Sequence, residues 1–220
     1  MSIRSQLLRI KEPLPSNVTL IAVSKTHPAA AVREAYAAGQ RVFGESRSQE
    51  LAQKAAELPN DIQWHFIGHL QTNKVKQIVG IARYIHSVDS ERLLREIAKE
   101  AAKKQCTVRC LLQIHIAQEE NKFGFSPDEA RKLLSTPILQ EMPQVEIVGL
   151  MGMATLTDNQ AQIRAEFRIL KQLFEEIKIR FFAHSPAFCA LSMGMSSDYH
   201  IAIEEGSTMI RIGTDIFGVR

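Results

Sequence analysis

Two sets of residues at opposite ends of the chain have types and spacing that could do chemistry. Near the N-terminus, Lys25 sits at the end of an apolar run, VTLIAVSKT (Val18 to Thr26), just ahead of Pro28 and a helix-like segment. That places a lone amine where a buried strand opens into a loop. Near the C-terminus, LSMGMSSD (Leu191 to Asp198) and IRIGTDIFG (Ile210 to Gly218) each set Gly, Ser or Thr just after an apolar run. Such turns bind phosphate: backbone N–H groups point at the anion, hydroxyls add donors, and glycine allows close approach. The amine and these loops meet only if the chain closes on itself, as a barrel does. A lysine beside a phosphate site points to a phosphorylated aldehyde held as a Schiff base, with partial burial favouring the neutral nucleophile.

The elements needed to position these groups are present. Apolar runs alternate with helical periodicity, the pattern of βαβ units. Strands are expected at residues 18–25, 41–46, 62–68, 84–89, 108–116, 145–154, 188–194 and 209–218, after a short leading helix. Helices are expected between them. Pro28 opens one and Gly39 closes it; Ser90 caps another; Ser126-Pro127-Asp128-Glu129 starts a third. Ile163, Phe167, Leu170, Phe174 and Ile177 form one apolar stripe on a long helix over 159–179. Eight strands alternating with helices in 220 residues predict an α/β fold, a single (β/α)8 TIM-type barrel domain over residues 1–220. The pattern starts with a helix and ends on a strand, so the leading helix would fill the place of a final one. An open doubly wound sheet is the alternative, and no GxGxxG follows the first strand to favour it.

In such a barrel chemistry sits at the C-terminal strand ends, with phosphate often in the loops after strands seven and eight. That rule selects Lys25 at the end of strand one, Ser46 at the end of strand two, Ser192, Met193 and Gly194 at the end of strand seven, and Gly213 and Thr214 where strand eight breaks. Taken singly, each has a simpler reading. Lys25 would be a solvated lysine, SMGMSSD a turn and helix cap, RIGTD a bulge, and Arg211 a partner of Glu204 or Glu205. Their convergence on adjacent strand ends raises the functional reading. His65 reads as a hydrogen-bonded core histidine. His69, His86, His115 and Glu45 have no metal-site spacing.

Composition narrows the class. Hydrophobic residues are 45% and charged residues 23%, with a net charge of +3, too small to imply nucleic acid or a membrane surface. No stretch is apolar enough to span a bilayer, and the first ten residues lack a signal-peptide core. Three cysteines, Cys106, Cys110 and Cys189, form no metal pattern; a reduced, cytoplasmic protein with buried thiols is expected.

The motifs AVSKT, FGES followed by Gln49-Glu50, WHFIGHLQTNK, GLMGMA and LSMGMSSDYHIAIEEGSTMIRIGTDIFG resemble those of the YggS/PROSC family, the pyridoxal phosphate homeostasis proteins. The resemblance runs from Leu20 to Gly218. It implies a fold-type III barrel like the N-terminal domain of alanine racemase, with pyridoxal 5′-phosphate (PLP) as a Schiff base on Lys25. It implies that Ser192, Gly213 and Thr214 hold the phosphate and that Arg211 faces the pyridine nitrogen. Family members usually carry Asn where this chain has Ser46, and many carry Pro at His69.

The resemblance also bears on catalysis. An acidic partner at the ring nitrogen strengthens the electron sink, and an arginine does not readily supply that proton. Racemases add a β-rich domain and a partner's tyrosine base; the barrel uses up this chain, and Tyr36, Tyr84 and Tyr199 lie in helices or at a strand start. The expectation is a monomeric PLP carrier in vitamin B6 and amino-acid homeostasis, without substantial catalysis. Apo-PLP enzymes are its expected partners. The alternatives are a racemase-like PLP enzyme and a cofactor-free Schiff-base aldolase.

Overall fold

In the computed structural model, the structure describes residues 2–118 and 123–218. Eight strands form a closed barrel in chain order. They are β1 (Thr19–Val23), β2 (Val42–Glu45), β3 (Gln63–Phe66), β4 (Ala82–Val88), β5 (Val108–Ile114), β6 (Val145–Gly152), β7 (Ala190–Ser192) and β8 (Met209–Ile212). All neighbours are parallel, and β8 closes the ring onto β1 with Ile21 opposite Arg211 and Ala22 opposite Ile212. The TIM-type barrel is therefore the architecture, and the open sheet is excluded.

The helices are α1 (Ile3–Lys11), α2 (Ala29–Ala37), α3 (Ser48–Glu57), α4 (Val75–Ile78), α5 (Glu91–Lys103), α6 (Pro127–Leu134), α7 (Gln160–Phe181), α8 (Tyr199–Glu204) and α9 (Thr214–Phe217). Local sequence explains their starts. The Ser90 hydroxyl accepts from Leu93 N–H at 3.3 Å ahead of α5. Ser126 and Glu129 form a reciprocal capping box on α6, with Pro127 at its first position. On α7 the stripe Ile163, Phe167, Leu170, Phe174 and Ile177 is buried. It belongs to the apolar shell between the strands and the helical layer. Leu111, Val148, Met151 and Ala190 form a separate, smaller cluster.

Three expectations need correction. β8 ends at Ile212, not Gly218; Gly213 breaks it and the chain turns into α9, which packs against α1. A final helix thus exists, and α1 lies between it and α2. β7 has three residues, because Gly194 takes φ +95° and leaves the strand direction. Cys189 is exposed, while Cys110 is buried and Cys106 partly so.

Gly149 on β6 faces Ala190 on β7. A Cβ there would lie 1.7 Å from the Ala190 carbonyl oxygen, so the two strands can pair only with no side chain between them. Gly149→Ala should destabilise the barrel by about 3 kcal/mol or more, as overpacked cores do; urea unfolding of the two proteins checks this.

Candidate functional site

The C-terminal strand ends surround a cavity of about 500 Å³. Its lining includes Lys25, two residues beyond β1; Ser46, the first residue after β2; Arg211 on β8; and Gly213, Thr214 and Asp215 just after β8. Closure of β8 onto β1 makes these neighbours, as the strand-end rule predicts. Lys25 is exposed, not partly buried as expected, because the chain has left the barrel wall two residues earlier. Ser197 and Thr214 are exposed as well, and Ser196 is half-buried.

Three predicted residues do not line the cavity. Ser192 and Met193 are fully buried. Gly194 is also buried and packs under α8, where a Cβ would meet that of Ala202 at 2.6 Å. The Ser192 hydroxyl points into the barrel, so the expected reach toward a phosphate is corrected. Ser196 and Ser197 occupy the cavity wall instead. Sequence reasoning read these two as the cap of the next helix; the doubled serine after SMGM was the available signal. The Met195 N–H donates to the Asp198 carboxylate at 2.6 Å, which fixes this turn.

Arg211 runs inward from the cavity rather than out to Glu204 or Glu205, which pair with Arg164 and Arg168. Its Nη1 donates to Ser192 Oγ at 2.7 Å and its Nη2 to the Gly152 carbonyl at 3.1 Å. Ser192 Oγ lies 3.0 Å from His86 Nδ1, and His86 Nε2 lies 2.8 Å from His65 Nδ1. Tyr84 stacks on His65 with centroids 4.5 Å apart. His65 and His86 stand on neighbouring strands, as do Ser192 and Arg211, and the His86–Ser192 contact joins β4 to β7 across the lumen. A hydrogen-bonded chain therefore crosses the barrel interior beneath the cavity.

The electrostatics of this chain follow from burial. All four side chains are nearly inaccessible. Burial pushes His65 down to about 3, with Arg83 adding to the effect. Burial, then His65 and Arg211, push His86 well below its ordinary range. Burial lowers Arg211 to about 10, opposed by nearby Asp198, so it keeps its charge at neutral pH. The lumen thus holds one guanidinium and two neutral imidazoles.

His65 is the hydrogen-bonded core residue that the sequence suggested. His69 pairs with Asp89 at 3.1 Å and stacks on Phe123. Among the described residues no group of three His, Cys, Asp or Glu could hold a metal ion. No described helix is long and apolar enough to cross a membrane.

Comparison with known proteins places this geometry. Residues 1–220 match the family of the alanine racemase N-terminal domain. A protein of Aquifex aeolicus called pyridoxal phosphate homeostasis protein is 41% identical over 202 residues, covering 91% of this chain and 86% of that one. The chain belongs to the pyridoxal phosphate homeostasis protein family. PipY of Synechococcus elongatus, solved without PLP, shares 42% identity and superposes with a TM-score of 0.91, covering 99% of this chain and 100% of that one. PipY has also been solved with PLP bound, at 41% identity and a TM-score of 0.88 over the same shares of the two chains. Alanine racemase of E. faecalis, 16% identical with a TM-score of 0.72 over 99% of this chain and 58% of its own, shares the fold. The family assignment and the barrel expected from the motifs both hold.

The lowered histidine values set a pH dependence. Both imidazoles are neutral when folded and titrate at about 6.5 when unfolded, so the unfolded chain binds more protons below that pH. Stability should be level above pH 6.5 and fall by several kcal/mol between there and about 3. Urea unfolding across that range checks it, and His65→Gln with His86→Gln should flatten the decline.

Proposed function

We propose that this chain binds PLP at the barrel mouth, carries it on the Lys25 amine, and serves vitamin B6 and amino-acid homeostasis without substantial catalysis. The observation that carries the reading is the cavity itself, where an exposed lysine, a buried arginine and a hydroxyl-rich wall converge. The donor set fits the cofactor: an amine for the aldehyde, a cation for the ring edge, and hydroxyls and a glycine turn for the phosphate. Lys25 would be the attachment point and Arg211 would face the ring nitrogen. Ser196, Ser197, Gly213 and Thr214 would hold the phosphate, and Ser46 would border the ring. Ser192 would act from behind, by orienting Arg211, and Met193 and Gly194 would shape that turn from within. When bound, PLP supplies an aldehyde that condenses with amines and a ring that withdraws electrons.

The residues present support binding more than turnover. Arg211 is a permanent cation whose hydrogen bonds go to Ser192 and Gly152, so it has little tendency to protonate a ring nitrogen. The cavity lining has Asp215 as its carboxylate and, among the described residues, no His, Tyr or Cys to act as a second base. Exposure of Lys25, Ser197 and Thr214 keeps the mouth wet, which opposes chemistry that needs a dry site. An accessible attachment point suits release of PLP to apo-PLP enzymes. A cytoplasmic monomer completes the proposal; the three unpaired cysteines support the reducing compartment. The racemase-like reading rests on the shared barrel, which carries fold alone. The aldolase reading would have Lys25 act on substrate without a cofactor.

Purified protein mixed with PLP should develop a visible band that borohydride bleaches, leaving the cofactor's mass on Lys25. Lys25→Ala should lose both. A band that survives in Lys25→Ala, or no band in the wild type, rejects the assignment. α-Deuterated alanine incubated with the loaded protein should lose its label no faster than with free PLP; faster washout would restore the racemase-like reading. PLP should reach an apo-enzyme faster from the loaded protein than from free solution; if it does not, delivery is wrong.

A further inference from the structure

Lys25 sits in a tight turn whose geometry is unusual for its sequence. The His27 N–H donates to the Ser24 carbonyl at 3.0 Å, making Lys25 and Thr26 the two central residues. Thr26 takes φ +66°, the left-handed region that turns of this kind usually give to glycine. A β-branched residue there is strained and persists only where its surroundings over-determine it.

The surroundings are a buried charge cluster. Lys54 on α3 is 5% exposed and Glu45 at the end of β2 is 0% exposed. The Lys54 ammonium has three N–H groups and uses three acceptors. It donates to the Ser24 carbonyl at 2.7 Å, to Glu45 Oε1 at 2.7 Å and to Glu50 Oε1 at 2.8 Å. Each carboxylate then grips the turn on one side of Lys25. The Ser24 hydroxyl donates to Glu45 Oε1 at 2.6 Å. The Thr26 N–H donates to Glu50 Oε1 at 2.6 Å, and the Thr26 hydroxyl to the Lys25 carbonyl at 2.6 Å. The residues before and after Lys25 are thus both tied to one ammonium.

Stability alone does not explain this cluster. Glu45 Oε2 is buried with no hydrogen-bond partner among the described residues. Well-packed apolar side chains between a strand and a helix are often at least as stable as a buried ion pair. Strain next to an unsatisfied buried charge is the signature of a backbone held for a purpose.

We propose that Lys54, through Glu45 and Glu50, is a positioning residue that holds the strained Thr26 turn and so aims the Lys25 amine into the cavity. The proposal rests on the reading of Lys25 as the attachment point for PLP. Capture there forms a C=N bond between the amine nitrogen and the aldehyde carbon and releases one water. Its rate depends on how well the amine is placed.

Two variants test it. Thr26→Gly removes the strain, the side-chain bond to the Lys25 carbonyl and the rigidity of the turn. Lys54→Met removes the ammonium at similar length. PLP is added to each folded protein, borohydride quenches at timed intervals, and mass spectrometry reads the adduct on Lys25. Thr26→Gly should melt at or above the wild-type temperature and yet capture PLP about tenfold or more slowly, because small misplacements of a reacting group are costly. Lys54→Met should slow capture similarly. A merely structural role would move melting and capture together, so Thr26→Gly decides the matter even if Lys54→Met folds poorly. Capture at the wild-type rate in Thr26→Gly overturns the proposal. No adduct on Lys25 in the wild type overturns the cofactor reading, and this proposal with it.

Discussion

The ladder between β1 and β8 is the contact on which the site depends. Four residue pairs, from Thr19 with Met209 to Ala22 with Ile212, join the two ends of the chain. Without this ladder Lys25 and the Gly213–Thr214 turn would belong to opposite edges of a sheet. With it they share one wall of one cavity. Parallel strands impose the rest: every strand enters from the same end, so every strand end that carries a polar residue opens at the same mouth. The amine and the hydroxyls converge because the barrel closes and not through any local signal.

Closure also creates an interior that must be filled. Part of the filling is apolar, the cluster of Leu111, Val148, Met151 and Ala190; beneath the cavity a polar chain runs beside it. A buried guanidinium is costly to desolvate and is held only where its donors are satisfied. Arg211 meets that condition with Ser192 and the Gly152 carbonyl, and Ser192 is in turn bonded to His86 and through it to His65. The same burial keeps both imidazoles neutral, since a second positive charge in so small a volume would repel the first. On the outside the ion pairs are mostly exposed, such as Arg95 with Glu91, and contribute little to stability. The buried charged groups of the lumen and of the Lys54 cluster behind β2 are the ones shielded from solvent screening.

A barrel shared with alanine racemases at 16% identity does not carry their chemistry with it. The scaffold fixes where strand ends lie; the residues at those ends decide what happens there. Here the mouth offers an exposed amine, a buried guanidinium and hydroxyl donors. The amine of Lys25 is accessible, and the turn that carries it has Thr26 at positive φ.

Much of this was legible in the sequence because it is governed by local chemistry. Ser90 and Ser126 mark helix starts because a capping hydroxyl must lie a fixed number of residues ahead of the N–H groups it satisfies. The α7 stripe is visible because 3.6-residue periodicity places Ile163 to Ile177 on one face. The alternation of strand and helix predicted the barrel; the strand-end rule pointed to Lys25, Ser46, Gly213 and Thr214, and the family resemblance to Arg211, all of which line one cavity. The stretch after Ile212 misled because short apolar runs fit strand and helix equally. Ser192 misled because its hydroxyl faces the lumen beneath the cavity, bonded to Arg211 and His86, and strand alternation gives the facing side but not the depth. Ser196 and Ser197 were hidden behind their evident role in a turn. The grip of Lys54 on Ser24, Glu45 and Glu50, and the positive φ of Thr26, left no trace in the sequence. They arise from a helix on one βα unit reaching the turn of its neighbour. The sequence by itself determined the elements, their order and the chemical groups at the strand ends, since each depends on residues close in the chain. Only the tertiary structure decided which side chains face the cavity, which lock the lumen and what holds the lysine, since those depend on strand phase and on contacts between distant segments.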